Sequence, residues 1–423
     1  MQLSLVSGPV PVAVTIAAFA SLVFVLAEPG GRRWRQTAGL AAASLGIVVA
    51  IGTAVGIEHR VGSTFPQTFF VWAALPLFAL AVAVHRWRDW RWTRRAVGVG
   101  SVLLLVAFGA DSVNEHYAYL PTVGDAIGRP VEDQVPTRAV TATVRPALAS
   151  TRHGVVVSVE IPGVVSHFRA RDALVWLPPA YFSASRPTLP VVEMIAGVPG
   201  DPSNLLRAGH AGRVADAYAA GHAGVAPILV FPDQNGSFLG DTECVDGPRG
   251  NAETYLTVDV PRYLADHFHA STLGRTWGIA GYSEGGTCAV TLALRHPDRF
   301  AAFLDMAGDA HPNAADGAAE RRLTIARLYG GAVGQYDAHD PATLLRHAIP
   351  DPPAALLAVG RDDRRAVVSA VHLAAIAREQ HVAATVHIGA GGHTFAFVHR
   401  SLVDLFPLLA DDVVRAAAGS SVA

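Results

Sequence analysis

Residues 275–286 read Arg-Thr-Trp-Gly-Ile-Ala-Gly-Tyr-Ser-Glu-Gly-Gly, and the surroundings of this stretch decide the fold. Thr276 to Gly281 is apolar and short enough for a buried strand, while Gly285 to His296 continues as helix-like sequence. Between them, Gly281-Tyr282-Ser283-Glu284-Gly285 has the form G-x-S-x-G. That spacing suits a strained strand-to-helix turn: the glycines let neighbouring backbones pack closely, and the serine hydroxyl is left exposed at the head of a helix. The helix dipole and the Glu284 N–H then face negative charge that develops beside Ser283. The pentapeptide alone is common; its place between a buried strand and a helix makes it specific.

A serine nucleophile at neutral pH needs a base. Among 18 histidines, His393 in Gly391-Gly392-His393-Thr394-Phe395 stands where one is wanted, on the loop after the last strand-like segment. His296 and His399 read as surface or helix-end residues. The chain order of such a triad is Ser, then acid, then His. The acid is expected after the penultimate strand, where Ala355 to Val359 runs into Gly360-Arg361-Asp362-Asp363. Both aspartates qualify; the G-x-x-D spacing of related hydrolases favours Asp363, with Asp362 as the alternative. A displaced acid at Asp305 or Asp309 is a further option. The second oxyanion donor is expected from the loop Ala196-Gly197-Val198-Pro199-Gly200-Asp201; Pro199 has no N–H, which points to Val198 alongside Glu284.

Outward from this turn, short Val, Ile and Leu runs alternate with helix-like segments, the pattern of a mostly parallel sheet flanked by helices. Strands are expected near Gly154–Ile161, Leu174–Leu177, Val191–Ile195, Ile228–Phe231, Thr276–Gly281, Ala301–Leu304, Ala355–Val359 and Ala384–Ile388, with helices over Glu253–Phe268 and Gly285–His296. Eight such strands predict an α/β-hydrolase fold over residues 152–423. No metal or organic cofactor is required by this chemistry.

The apolar excess of the chain, 51% of 423 residues, is concentrated before Asp111. Pro9–Ala27, Ala38–Ile57, Gln67–Val84 and Ala96–Ser112 are four stretches each near the roughly 20 residues that a spanning helix needs. This predicts a four-helix transmembrane anchor over residues 1–113 and a connector over 114–151, in which Asn114–Asp125 lies at the interface and the Pro-containing remainder is a linker. Arg32, Arg33 and Arg35 in one connection, and Arg86, Arg88, Arg91, Arg94 and Arg95 in another, contrast with the single Arg60 between them. The positive-inside rule puts both basic connections in the cytoplasm and the 152–423 domain outside. Trp34, Trp87, Trp90 and Trp92 in the same connections suit headgroup depth. Asp111 is the one ionisable residue within the spans, which argues for anchoring over transport.

Residues 120–423 carry 24 Arg against 30 acids, a balance with no basic footprint for nucleic acid. The only cysteines are Cys244 and Cys288, without metal-ligand spacing. Outside the cell a disulfide between them is permitted and would clamp a loop to the helix after Ser283.

The segments Leu177-Pro178-Pro179-Ala180-Tyr181, Gly197-Val198, Phe231-Pro232-Asp233, the Ser283 turn and Gly392-His393 together resemble the esterase family that includes esterase D and the actinobacterial antigen 85 mycolyltransferases, over about Gly154 to Leu409. With its anchor the whole chain looks like the membrane-anchored esterases of actinobacteria. Antigen 85 proteins lack such an anchor, have no glycine matching Gly285 and use Glu where this chain offers Asp, so the resemblance implies fold and triad but not mycolyl transfer. The expected function is serine carboxylic-ester hydrolysis outside the membrane, on an envelope lipid or acylated glycan. An acyltransferase, or a non-catalytic envelope protein on the same fold, are the competing expectations.

Overall fold

In a computed structural model of the chain, residues 3–27, 34–55, 68–127, 134–135, 152–184, 187–272, 274–314, 317–347 and 349–420 are described. The chain divides into two units, Met1–Arg129 and Pro130–Ala423.

The first unit is built from α1 (Pro9–Leu26), α2 (Trp34–Val55), α3 (Thr68–Arg86) and α4 (Trp92–Tyr117). All four are long and apolar enough to cross a membrane, and they keep only a tenth to a third of their residues buried. The outward faces carry Ile16, Val84 and Leu103, all exposed, as a helix bundle bathed in lipid rather than water would. Small residues let the helices approach: Ala18 and Ala79 pack with Leu22, Leu105 and Phe108. A hydrogen bond from Ser21 Oγ to Ser101 Oγ, 3.1 Å, links α1 to α4. Helix α4 runs to Tyr117, beyond the expected end, and the chain then folds back through a Thr122–Asp125 capping box onto Leu3 and Leu5. The Trp90 ring is buried against Val25, Val82 and Ala83. Arg32, Arg33, Arg60 and most of the expected linker fall outside the described residues.

The second unit centres on a nine-stranded sheet: β1 (Gln134–Val135), β2 (Val155–Val159), β3 (Ala173–Leu177), β4 (Val191–Ile195), β5 (Ile228–Phe231), β6 (Trp277–Tyr282), β7 (Phe300–Met306), β8 (Ala354–Gly360) and β9 (Ala384–Gly389). Their spatial order is β1-β2-β3-β5-β4-β6-β7-β8-β9. β3 runs antiparallel to both neighbours, and every other pairing is parallel. The eight expected strands are all present within a residue or two, and the addition is the two-residue β1. Central strands β4, β5, β6 and β7 are buried along their whole length, which is why they read as continuous apolar runs and not as alternating ones. Helices α5 (Ala211–Gly221) and α10 (Phe395–Ser420) pack together on one face. Helix α7 (Glu284–Arg295) and, through the short helix α8 (Pro341–Leu345), α9 (Arg364–Glu379) cover the other. The expected helix over Glu253–Phe268 is present with a π turn at Tyr255–Asp259 that leads into α6 (Val260–Phe268).

Glu193 in β4 and Asp305 in β7 break the apolar pattern of the central strands. Glu193 is fully buried, and among the described residues neither side-chain oxygen has a hydrogen-bond partner. Burial pushes its pKa up to about 8, against a smaller opposing pull from Arg299, so the side chain is mostly neutral at pH 7. A protonated carboxyl is tolerated there at a far smaller cost than a carboxylate.

Candidate active site

Strand β6 ends against the C-terminal end of β4, with Gly281 paired to Ile195, and the chain turns into α7 through Ser283. Ser283 has φ 58 and ψ −123, a conformation that L-residues rarely adopt and that a strand-to-helix elbow imposes. Two glycines make the turn possible. A Cβ on Gly285 would collide with the carbonyl oxygens of Ile195 and Ala196, and one on Gly281 with the carbonyl oxygen of Gly285. The Ser283 N–H donates to the Met306 carbonyl at 2.9 Å, while its own carbonyl accepts from Gly286 and Thr287, which fixes the head of the helix.

The histidine and the acid arrive from two other strand ends. His393 lies between β9 and α10, with Nε2 2.8 Å from Ser283 Oγ and Nδ1 2.7 Å from Asp363 Oδ2. Asp363 caps α9: Oδ1 accepts the Ala366 N–H at 3.2 Å, leaving Oδ2 for the histidine. Burial raises the Asp363 pKa, but the His393 hydrogen bond and charge, the Ala366 N–H and the nearby Arg365 outweigh it and hold the carboxyl below its ordinary value. An ionised carboxylate only accepts, so the Nδ1–H tautomer of His393 donates to Asp363, and Nε2 is free to accept the Ser283 hydroxyl proton. The Tyr282 ring lies 4.8 Å from the imidazole and closes one side. Of the other acids considered, Asp362 is exposed, Asp305 is buried with Oδ1 on the Gly308 N–H at 2.7 Å, and Asp309 is ion-paired with Arg365. The hydrogen-bonded line runs through Asp363. His296 bonds Glu253 and His399 bonds the Gly209 carbonyl.

The loop 196–200 lies directly over the elbow. A Cβ on Gly197 would sit 2.8 Å from the Tyr282 carbonyl oxygen and 3.0 Å from Ser283 Cβ, so only glycine lets Val198 follow at this depth. Three contacts hold the loop: Gln234 Nε2 donates to the Ala196 carbonyl at 2.7 Å, Arg171 to the Gly200 carbonyl at 3.1 Å, and the Gly200 N–H to the Phe238 carbonyl at 2.9 Å. Arg171 is itself locked by a bidentate pair with the fully buried Asp233.

Glu284, chosen from sequence for its backbone N–H, has a buried side chain that binds the site together. Its Oε2 accepts from Gln234 Nε2 at 3.1 Å and Asn235 Nδ2 at 3.3 Å, and Oε1 lies 3.5 Å from Cys288 Sγ. Cys288 is bonded to Cys244, with Cα atoms 5.6 Å apart, so the loop after β5 is covalently tied to α7. Cys244, Glu284 and Cys288 form the one close group of metal-ligand types among the described residues. With both sulfurs engaged in the bridge, no thiolate is left to bind an ion. Gln234 and Asn235 escaped the sequence reading; the signal was the polar run Asp233-Gln234-Asn235 placed directly after a buried strand.

Burial, reinforced by the nearby charge of Asp241, pushes the Glu284 pKa up to about 8, against the hydrogen bonds from Gln234 and Asn235. A neutral carboxyl keeps negative charge away from the position that its own N–H faces. Turnover of a neutral ester is therefore expected to fall by roughly tenfold as pH rises well past 8 and Glu284 ionises. Glu284→Gln is expected to flatten that alkaline decline, as measured by kcat/KM against pH after subtraction of the uncatalysed rate. An unchanged decline in the variant would separate Glu284 from it.

A family model described as "Putative esterase" matches residues 168–400. A protein of Corynebacterium glutamicum described only as uncharacterised is 31% identical over 422 residues, 96% of each chain. Among solved structures, a ferulic acid esterase superposes with TM-score 0.53 at 20% identity, covering 62% of this chain and 99% of the other. An S-formylglutathione hydrolase from Agrobacterium tumefaciens does so with TM-score 0.53 at 19% identity, over 62% and 97%. At such identities the structural likeness speaks for the fold.

Proposed function

This chain belongs to the esterase family, and from that premise we propose that it hydrolyses a carboxylic ester of an envelope lipid or acylated glycan through an acyl-enzyme on Ser283, in a domain held outside the membrane by its four N-terminal helices. The observation that carries this reading is the line of short hydrogen bonds from Ser283 Oγ through His393 to Asp363.

In the proposed cycle, Ser283 Oγ attacks the ester carbonyl as its proton passes to His393 Nε2. Asp363 holds the ring and stabilises the imidazolium. The tetrahedral oxyanion is held by the N–H groups of Glu284 and Val198, the first at the head of α7, where a helix's opening N–H groups have no acceptor within the helix. Collapse expels the alcohol, which takes its proton from His393. Water then repeats the sequence on the acyl-enzyme and frees Ser283. The outside location is supported by the two arginine-rich connections, which the positive-inside rule places in the cytoplasm, and by the Cys244–Cys288 bridge, which belongs in an oxidising compartment.

Full-length protein in detergent, incubated with extracted envelope lipids and with p-nitrophenyl butyrate, is expected to release free acid and alcohol from both, read by mass spectrometry and absorbance. Acyl products that appear only when a sugar or glycerol acceptor is added, with no free acid, would replace hydrolysis by acyl transfer. Failure on every ester, together with no labelling by a fluorophosphonate probe, would return the fold to a non-catalytic role.

A further inference from the structure

Two loops on the Ser283 side of the sheet expose large apolar side chains although their backbones are firmly braced. The first, between β2 and β3, presents Val164 at 68% exposure and Val165 at 43%. The second, after β5, presents Phe238 at 51% and Leu239 at 75%. They are neighbours: a Cβ on Gly236 would lie 3.1 Å from the Arg169 carbonyl oxygen and 3.8 Å from the Phe168 ring. Because β3 is antiparallel to β5, the connection into β3 comes to the same edge as the loop leaving β5, and the Arg171–Asp233 pair fastens them there.

Neither loop has the bonding of a segment left loose. Val165 and Ser166 donate their N–H groups to the buried Asp259 at 2.9 and 3.0 Å, and Asn251 donates to the Ser166 carbonyl at 2.8 Å. On the other loop the Phe238 carbonyl accepts from Gly200, within the turn that covers Ser283, and the Thr242 N–H donates to Asn235. Backbone bonding of this kind holds four apolar side chains out toward solvent, an arrangement that water disfavours and that marks a surface built for an apolar partner. Exposed charges of both signs, Glu160, Arg169 and Asp172, lie on the same connection as the valines. Apolar tips of this kind match the acyl boundary of a phospholipid bilayer. The chain carries four helices long and apolar enough to sit in such a bilayer, so its esterase unit works tethered to that phase.

We propose that Val164, Val165, Phe238 and Leu239 form a membrane-docking rim that dips into a phospholipid surface and opens the Ser283 site directly to esters lodged in it. This rests on the esterase reading above for its consequence, though docking itself can be measured apart from catalysis. Leaflet-embedded esters then reach the site along a path bordered by these side chains, while small water-soluble esters enter without them.

The test uses the full chain reconstituted in vesicles of phosphatidylcholine and phosphatidylglycerol. In the variants Leu239→Ser and Val164→Ser/Val165→Ser, turnover of a long-chain ester carried in the vesicle is expected to drop about tenfold, with p-nitrophenyl acetate turnover unchanged. In parallel, Leu239→Trp is expected to show fluorescence quenching by phospholipids brominated high on the acyl chain, beyond that of the parent protein. Unchanged long-chain turnover, or equal losses on both esters, would overturn the proposal, as would no added quenching in Leu239→Trp. If no ester is turned over by the parent while Leu239→Trp is quenched, docking stands and the esterase reading falls.

Discussion

Ser283→Ala is expected to leave a folded protein whose ester turnover is lower by about 10⁴- to 10⁶-fold, the range over which loss of a serine nucleophile acts elsewhere. The fold is expected to survive because the hydroxyl carries none of the turn's backbone bonds: Met306 accepts from the Ser283 N–H, and the Ser283 carbonyl accepts from Gly286 and Thr287. Alanine must adopt the same positive φ as serine, so the strain is common to both. What disappears is the one oxygen that sits 2.8 Å from His393 Nε2. A fluorophosphonate probe should label the parent on the peptide that contains Ser283 and leave the variant unlabelled, with p-nitrophenyl butyrate giving the rate. Persistent labelling of Ser283→Ala would move the nucleophile elsewhere.

Asp363→Asn is expected to cost about 10⁴-fold in turnover, while Asp362→Asn stays within a factor of about two. The contrast follows from where the two side chains are. Asp363 is buried, with one oxygen on the helix and the other on the imidazole. In Asp363→Asn the new side chain can keep its amide oxygen on the Ala366 N–H, and α9 with it, but then turns an N–H₂ toward His393 Nδ1. That favours the tautomer with the proton on Nε2, which cannot accept from Ser283. Asp362 is exposed, and substitution there changes only a surface charge. The Asp363 carboxyl is held below its ordinary value, so the pair's contribution to stability is present above that value and is lost as pH falls through the lowered one. Equal losses in the two variants, measured as kcat with circular dichroism as a check on folding, would remove Asp363 from its proposed place.

Much of this site is legible in the linear sequence because its signals are local. The elbow needs Gly281, Ser283 and Gly285 at fixed spacing, and the central strands are apolar but for Glu193 and Asp305, so the strands announce themselves. Other features depend on distant partners and leave no local mark. Glu284 reads as a polar residue at the head of a helix; its buried bonds come from Gln234 and Asn235, some fifty positions earlier in the chain. β1 is two residues long, too short for any period, and owes its existence to pairing with β2. That the Trp90 ring packs against Val25 and Val82 likewise depends on partners distant in the chain. Glu193 defies the apolar pattern of its strand and is accommodated by keeping its proton.

The stretch from Asp233 to Cys244 is held at one end by the Arg171 pair and at the other by a covalent bond to α7. A loop clasped at both ends has few conformations left to lose when a ligand arrives. Its ordering entropy is spent once, when the protein matures, and does not recur at each encounter. The site is thus stiff before it is filled, a bracket more than a lid, and its selectivity has to come from the fixed shape of the opening rather than from closure around the guest.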